Sequence, residues 1–181
     1  MALLPISERD HIRGIVNAPV VLIKYGCYQC PYSSDAHKII TEILHQLNTD
    51  VTSVKANQLC FVFRHFFQRP TNSYAQKAAE AVEAAAAQGQ FWQMHDTLFE
   101  HQHALEDSHI VQYANDIGLD IFQFLRDVSG RIYTNRVSED IESGLRSGVT
   151  DSPALFINGI RYNNGWDRKK LFAAVLKDLY Q

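Results

Sequence analysis

Two kinds of hydrophobic spacing alternate along the chain. Val20-Val21-Leu22-Ile23-Lys24-Tyr25 is a continuous apolar and β-branched run, the signature of a buried central strand. Directly after it, Ala36, Ile39, Ile40, Ile43, Leu44 and Leu47 recur at helical spacing and predict an amphipathic helix from Pro31 to about Leu47. Asn48-Thr49-Asp50 breaks that pattern, and Leu59 to Phe66 reads as a second strand. From Ser73 to Ser147 the spacing is helical throughout. One stripe holds Ala75, Ala78, Ala79, Val82, Ala85 and Ala86 and stops at Gly89; a second holds Phe91, Trp92, His95, Leu98 and Phe99. A third helix is expected after an Asp107-Ser108 cap, a fourth after Asp120 with Phe122, Leu125 and Val128 inward, and a fifth through Ile132, Val137, Ile141 and Leu145. Strand texture returns at Ala154-Leu155-Phe156-Ile157, and Asn158-Gly159 is the pair a type I′ hairpin turn prefers before Ile160-Arg161-Tyr162. Asp167 opens a last helix. Residues 1–19 read as an irregular lead-in.

The order strand, helix, strand, five helices, hairpin, helix defines an α/β fold. The first two strands pair in parallel across a helical crossover. Residues 1–72 and 148–181 form one unit, and residues 73–147 are a helical subdomain inserted into it. Composition narrows the function classes. A net charge of −3 spread over both signs gives no footing for nucleic acid or an anionic membrane surface. No apolar run is long enough to span a bilayer, and the N-terminus lacks the basic-then-apolar pattern of a secretory signal, so a cytoplasmic setting is expected. Three cysteines in 181 residues are not a disulfide scaffold.

Cys27 and Cys30 instead fall in the tight turn between the first strand and the first helix. Proline is favoured at the first helical position, so Pro31 makes Cys30 the N-cap. Unpaired backbone N–H groups and the positive end of the helix dipole there favour thiolate over thiol, the reactive form. The competing reading of a small buried thiol fits Cys60, inside an apolar strand, better than Cys30.

These residues resemble the DsbA-like branch of the thioredoxin superfamily. The resemblance runs through Asn17-Ala18-Pro19-Val20, Gln29-Cys30-Pro31-Tyr32, Phe61 to Phe66, Ala79-Glu80-Ala81, Phe91-Trp92-Gln93-Met94-His95-Asp96, Ser147-Gly148-Val149 and Pro153 to Gly159. It implies a thioredoxin-like fold with a helical insert, thiol-disulfide exchange, and a cis proline opposite the reactive thiol at Pro153. Pro153 otherwise reads as an ordinary strand-initiating proline. Ser152 stands where the family more often has threonine, and its backbone would pair with a substrate chain.

The site departs from the family pattern at one position. Cys-Pro-Tyr-Cys is replaced by Cys30-Pro31-Tyr32-Ser33, while Cys27 lies three residues before the nucleophile instead of three after it. Two chemistries follow. Cys30 acts alone, forms a mixed disulfide and is released by an external thiol such as glutathione, with Ser33 able to donate a hydrogen bond to its sulfur. Or Cys27 resolves Cys30 as an unconventional partner, a scheme favoured by the compact turn that would bring both thiols to one surface. Pro31, Tyr32, Tyr28 and Ser152 are expected to meet substrate, and the flanking Tyr25, Tyr28 and Tyr32 either simply pack or form an apolar rim that accepts it. The expected partners are protein or small-molecule disulfides and thiols, served by glutathione or a thioredoxin system. No cofactor is expected. A zinc site from Cys27, Cys30 and His37 or His65 lacks a second ligand pair, so no metal is expected either. Two rival functions share the fold: a binding module that has lost catalysis, and a glutathione-dependent transferase or isomerase.

Overall fold

The computed structural model describes residues 5–49, 58–68 and 73–179. The expected boundary at residue 72 lies outside the described residues. The elements are β1 (His11–Gly14), β2 (Val20–Gly26), α1 (Pro31–Thr49), β3 (Leu59–His65), α2 (Ser73–Ala86), α3 (Phe91–Glu100), α4 (Asp107–Asp116), α5 (Ile121–Ser129), α6 (Thr134–Arg146), β4 (Ala154–Ile157), β5 (Ile160–Tyr162) and α7 (Arg168–Leu179). They form a mixed α/β fold whose five strands run in the order β1-β3-β2-β4-β5.

The continuous apolar runs occupy the middle of the sheet. β2 and β3 pair in parallel across α1, in register from Val20 opposite Leu59 to Gly26 opposite His65. Every residue of β3 is buried, as both faces of the sheet are covered. Strand alternation divides the core in two. Leu22, Phe61 and Phe63 face α1, α3 and α7, whereas Ile23, Tyr25, Cys60 and Val62 face Ala75 and Ala79 of α2 and Val137 and Ile141 of α6. Helices α2–α6 all lie between β3 and β4 in the chain. The β4–β5 hairpin turns on Asn158 and Gly159, both with positive φ (46° and 82°), as a type I′ turn requires.

Four sequence expectations are corrected. The lead-in contains β1, which pairs antiparallel with β3 from His11 opposite Phe63 to Gly14 opposite Cys60. A four-residue edge strand with half-exposed side chains leaves no periodic signal. Gly14 closes it at φ 106°, and a Cβ there would stand 2.1 Å from the Leu59 carbonyl oxygen. In α5 the buried side is Phe124, not Phe122, which is 90% exposed, and Leu125 is exposed too. Ile132 and Leu145 are likewise exposed, and α6 starts only at Thr134. Finally, α4 begins at Glu106 as N-cap without a side-chain cap bond, and Asp107 pairs instead with Lys77 at 2.8 Å. The caps at Asp120 and Asp167 do form, on the N–H groups of Gln123 (3.0 Å) and Lys170 (2.9 Å).

Candidate active site

The site is built where β2 hands over to α1. Gly26 ends the strand and its carbonyl accepts the N–H of Phe66 at 2.9 Å. Cys27 to Cys30 then fold into a turn closed by Cys30 N–H donating to the Cys27 carbonyl at 3.2 Å. The Cys30 carbonyl starts the helix by accepting the N–H groups of Ser33 (2.9 Å) and Ser34 (3.2 Å), while Pro31 needs no partner. A side chain from outside the turn pins it. Gln102, just beyond α3, donates from Nε2 to the carbonyls of both Tyr28 (2.7 Å) and Cys30 (2.8 Å).

The Cys30 thiol is partly exposed and donates to the Ser152 carbonyl oxygen at 3.3 Å. The Ser152–Pro153 peptide bond is cis. Thus Cys30, Ser152 and Pro153 meet at one place, with Pro31 and Tyr32 exposed alongside and Tyr32 69% exposed.

The other two thiols differ. Cys27 is buried, its sulfur accepts the Gln29 N–H at 3.4 Å, and burial pushes its pKa up. Cys27 therefore does not share the open surface of Cys30. Cys60 is fully buried in β3 and belongs to the core, and burial raises its pKa as well. Ser33 is fully buried and its hydroxyl accepts the Cys27 N–H at 3.2 Å, so it serves the neighbouring turn rather than the Cys30 sulfur. Tyr28 is also withdrawn from the expected rim. It is 1% exposed, packs against Phe63 and Phe99, and shares a 2.8 Å hydrogen bond with His95 Nδ1.

A buried cation lies beneath the helix start. Lys24 of β2 is fully buried, donates from Nζ to the Ser33 carbonyl at 2.8 Å, and rests 4.3 Å from the centre of the Phe99 ring. Burial drags its pKa down to about 7, opposed by attraction to negative charge on Cys30. His37 on α1 is held to about 3 by burial and by the positive charges of Lys24, Arg13 and Lys38. Sequence reasoning misses both Lys24 and Gln102. A lysine within an apolar central strand is the available signal for the first; a glutamine after a helix offers none.

No cluster of three ligating side chains among the described residues contains Cys27 or Cys30. The two such clusters are His37 with His95 and Asp96, and His65 with Glu83 and Asp140. The second is consumed by ion pairs: His65 Nε2 meets Glu83 at 2.9 Å, Asp140 takes the His65 N–H at 2.9 Å, and Arg136 pairs with Asp140.

A central β2–β3 pair with a thiol at the first helix start, a helical insert and a closing hairpin define the thioredoxin class with the DsbA-like arrangement. The chain belongs to the thioredoxin family, whose model matches residues 7–177. Its fold is similar to that of oxidised BdbD from Bacillus subtilis, at a TM-score of 0.81 and 18% identity over 99% of this chain and 98% of that one. It is similar also to alpha-DsbA1 from Wolbachia pipientis, at 0.79 and 20% over 98% and 94%. In sequence it resembles part of proteins named sodium/proton antiporter NhaA: 37% identity over 93% of this chain in Salinispora tropica, and 40% over 93% in Mycolicibacterium vanbaalenii. The chain spans about a quarter of the length of those relatives.

Proposed function

We propose that this chain is a thiol-disulfide oxidoreductase whose single working thiol is Cys30. The observation that carries the reading is the contrast within one turn: Cys30 is partly exposed beside Ser152 and the cis Pro153, whereas Cys27 is buried and Ser33 carries no thiol. The Cys30 thiolate attacks a disulfide R–S–S–R′, forming Cys30–S–S–R and releasing R′S⁻. An external thiol, glutathione or a thiol of a thioredoxin system, then attacks that mixed disulfide and returns Cys30 as thiolate with a new external disulfide. A reducing compartment such as the cytoplasm supplies the second thiol and favours reduction or exchange over net oxidation.

Substrate polypeptide or small disulfides meet the site across Pro31, Tyr32 and Ser152. A groove of about 420 Å³ lined by Phe66, Phe67, Ile141, Leu145 and Thr150 offers further apolar surface, its Thr150 edge two residues from Ser152. The paired scheme, with Cys27 resolving Cys30, is disfavoured by the burial of Cys27 and by backbone bonds that fix it through both its N–H and its carbonyl.

The test is a disulfide-reduction assay with glutathione as electron donor, together with alkylation at neutral pH. Cys30→Ser removes activity and the fast-labelling thiol, while Cys27→Ser keeps both. Activity lost equally in Cys27→Ser restores the paired scheme. A Cys30 that labels no faster than free cysteine makes the chain a binding module of the same fold, and reduction that survives Cys30→Ala points to a glutathione-dependent transferase.

A further inference from the structure

The side chains of His37, His95 and Asp96 converge from α1 and α3 beside Phe99, and neither Cys27 nor Cys30 belongs to the cluster. One ligand atom from each lies within 4.8 Å of the other two. His95 is fully buried, yet its Nε2 has no hydrogen-bond partner, and neither has the buried Oδ1 of Asp96. His37 Nε2 stands 3.6 Å from that same oxygen. Two orphaned buried polar atoms facing one imidazole are costly in a folded protein unless something satisfies them.

We propose that His37 Nε2, His95 Nε2 and Asp96 Oδ1 form a binding site for a divalent transition-metal ion of the zinc class, tying α1 to α3. Two imidazoles and one carboxylate are the donors such ions prefer, with water completing a tetrahedron. Bonds of about 2.1 Å put ligand atoms on one zinc roughly 3–3.5 Å apart, within a small rotation of these side chains. The surrounding contacts orient the ligands. In the tautomer that donates Nδ1–H to the Tyr28 hydroxyl at 2.8 Å, His95 presents its Nε2 lone pair inward. Arg13 holds the other Asp96 oxygen at 2.6 Å, and His37 stacks on Phe99 with ring centroids 4.6 Å apart. The Asp96 side chain reaches the surface, about a third of it exposed, while its Oδ1 is buried beside His37. The cost of the site is the nearness of two cations, Lys24 and Arg13, of which Arg13 is already neutralised by Asp96.

The test uses the full chain, stripped with a chelator and then titrated with Zn²⁺, or with Co²⁺ for its visible absorption. One ion per chain is expected, with a raised midpoint of thermal unfolding. Binding persists in the Cys27→Ser/Cys30→Ser double variant and weakens at least tenfold in His37→Ala and in Asp96→Asn. Those two variants keep the test alive should His95 variants fail to fold. The inference is overturned if the intact chain takes up no Zn²⁺ or Co²⁺, if uptake is unchanged in both His37→Ala and Asp96→Asn, or if it disappears with the cysteines.

Discussion

The Ser33 hydroxyl accepts the backbone N–H of Cys27 at 3.2 Å, joining the first turn of α1 to the turn before it. The family resemblance puts a second thiol at this position, and in this chain the same position holds a fully buried hydrogen-bond acceptor. The serine thus does more than remove a reactive group. It gives a buried donor a partner and leaves Cys30 as the accessible sulfur of the turn.

Ser33→Ala leaves the Cys27 N–H buried without that acceptor. Such a loss costs about 1–3 kcal/mol, to be read from the denaturant midpoint with an unchanged slope. Ser33→Cys makes a Cys-Pro-Tyr-Cys site. Mild oxidation should then close a disulfide between Cys30 and the introduced thiol, seen by peptide mapping, and turnover should depend less on glutathione. A Ser33→Cys protein that still accumulates only mixed disulfides on Cys30 contradicts this account of the site.

How far the sequence reaches depends on how local each feature is. The β2–α1 junction, the hairpin and the caps at Asp120 and Asp167 are set by residues within a few positions of one another, and they stand where the pattern puts them. Phe122 and Phe124 show the limit. Either could lie on the apolar side of a nine-residue helix, and only packing against the rest of the insert chooses Phe124. At the site, the position of Cys30 follows from strand and helix signals, but the depth of Cys27 and Tyr28 does not. Tyr28 is buried by partners far along the chain, among them Phe99 and His95, and Cys27 sits in a core cluster with Val137 and Phe156. The same is true of Gln102, which reaches the turn across 72 residues of sequence.

Lys24 should give stability an alkaline rise. Its pKa is about 7 when folded and near 10.5 when unfolded, so between those values the unfolded chain holds more protons. The contribution of Lys24 to stability therefore increases with pH across that window, by up to about 1.4 kcal/mol per pH unit for one proton, against the opposite effect of the buried thiols of Cys27 and Cys60, whose pKa values are raised by burial. Lys24→Met should flatten the rise relative to wild type, measured by urea unfolding at several pH values. Equal slopes in the two proteins would mean that Lys24 is not the titrating group.

Acid should weaken the protein in two stages. His37 stays neutral to about pH 3, while an unfolded histidine takes its proton near 6.5, so stability falls as pH drops below about 6.5. Glu83 adds a second stage. Burial alone would raise its pKa, but hydrogen bonds with His11 (3.0 Å) and His65 (2.9 Å) hold it well below the usual carboxylate range. Its contribution is present above the unfolded value near 4.5 and is lost as pH falls below it. Glu83→Ala should cost roughly 3–5 kcal/mol at neutral pH and shrink the lower stage, the rest of which belongs to Asp10 and Glu80, also held low by their partners, while leaving the upper stage in place. Loss of the upper stage in Glu83→Ala would contradict the assignment.

Gln102 bears directly on which thiols react. Its amide holds the carbonyls of Tyr28 and Cys30 together, and those residues lie in the turn that would have to open for Cys27 to reach Cys30. Each such bond contributes about 0.5–1.5 kcal/mol net, so Gln102→Ala should destabilise by about 1–3 kcal/mol. The more telling readout is chemical. With the clamp gone, Cys27 should react faster with a maleimide, and oxidation should begin to yield a Cys27–Cys30 disulfide absent from the wild type. Gln102→Glu keeps the size of the side chain but puts a carboxylate in place of the donating amide, so it should behave like the alanine variant. If Cys27 remains unreactive in both, its burial owes nothing to the clamp, and the core around Tyr28 must be what withholds it.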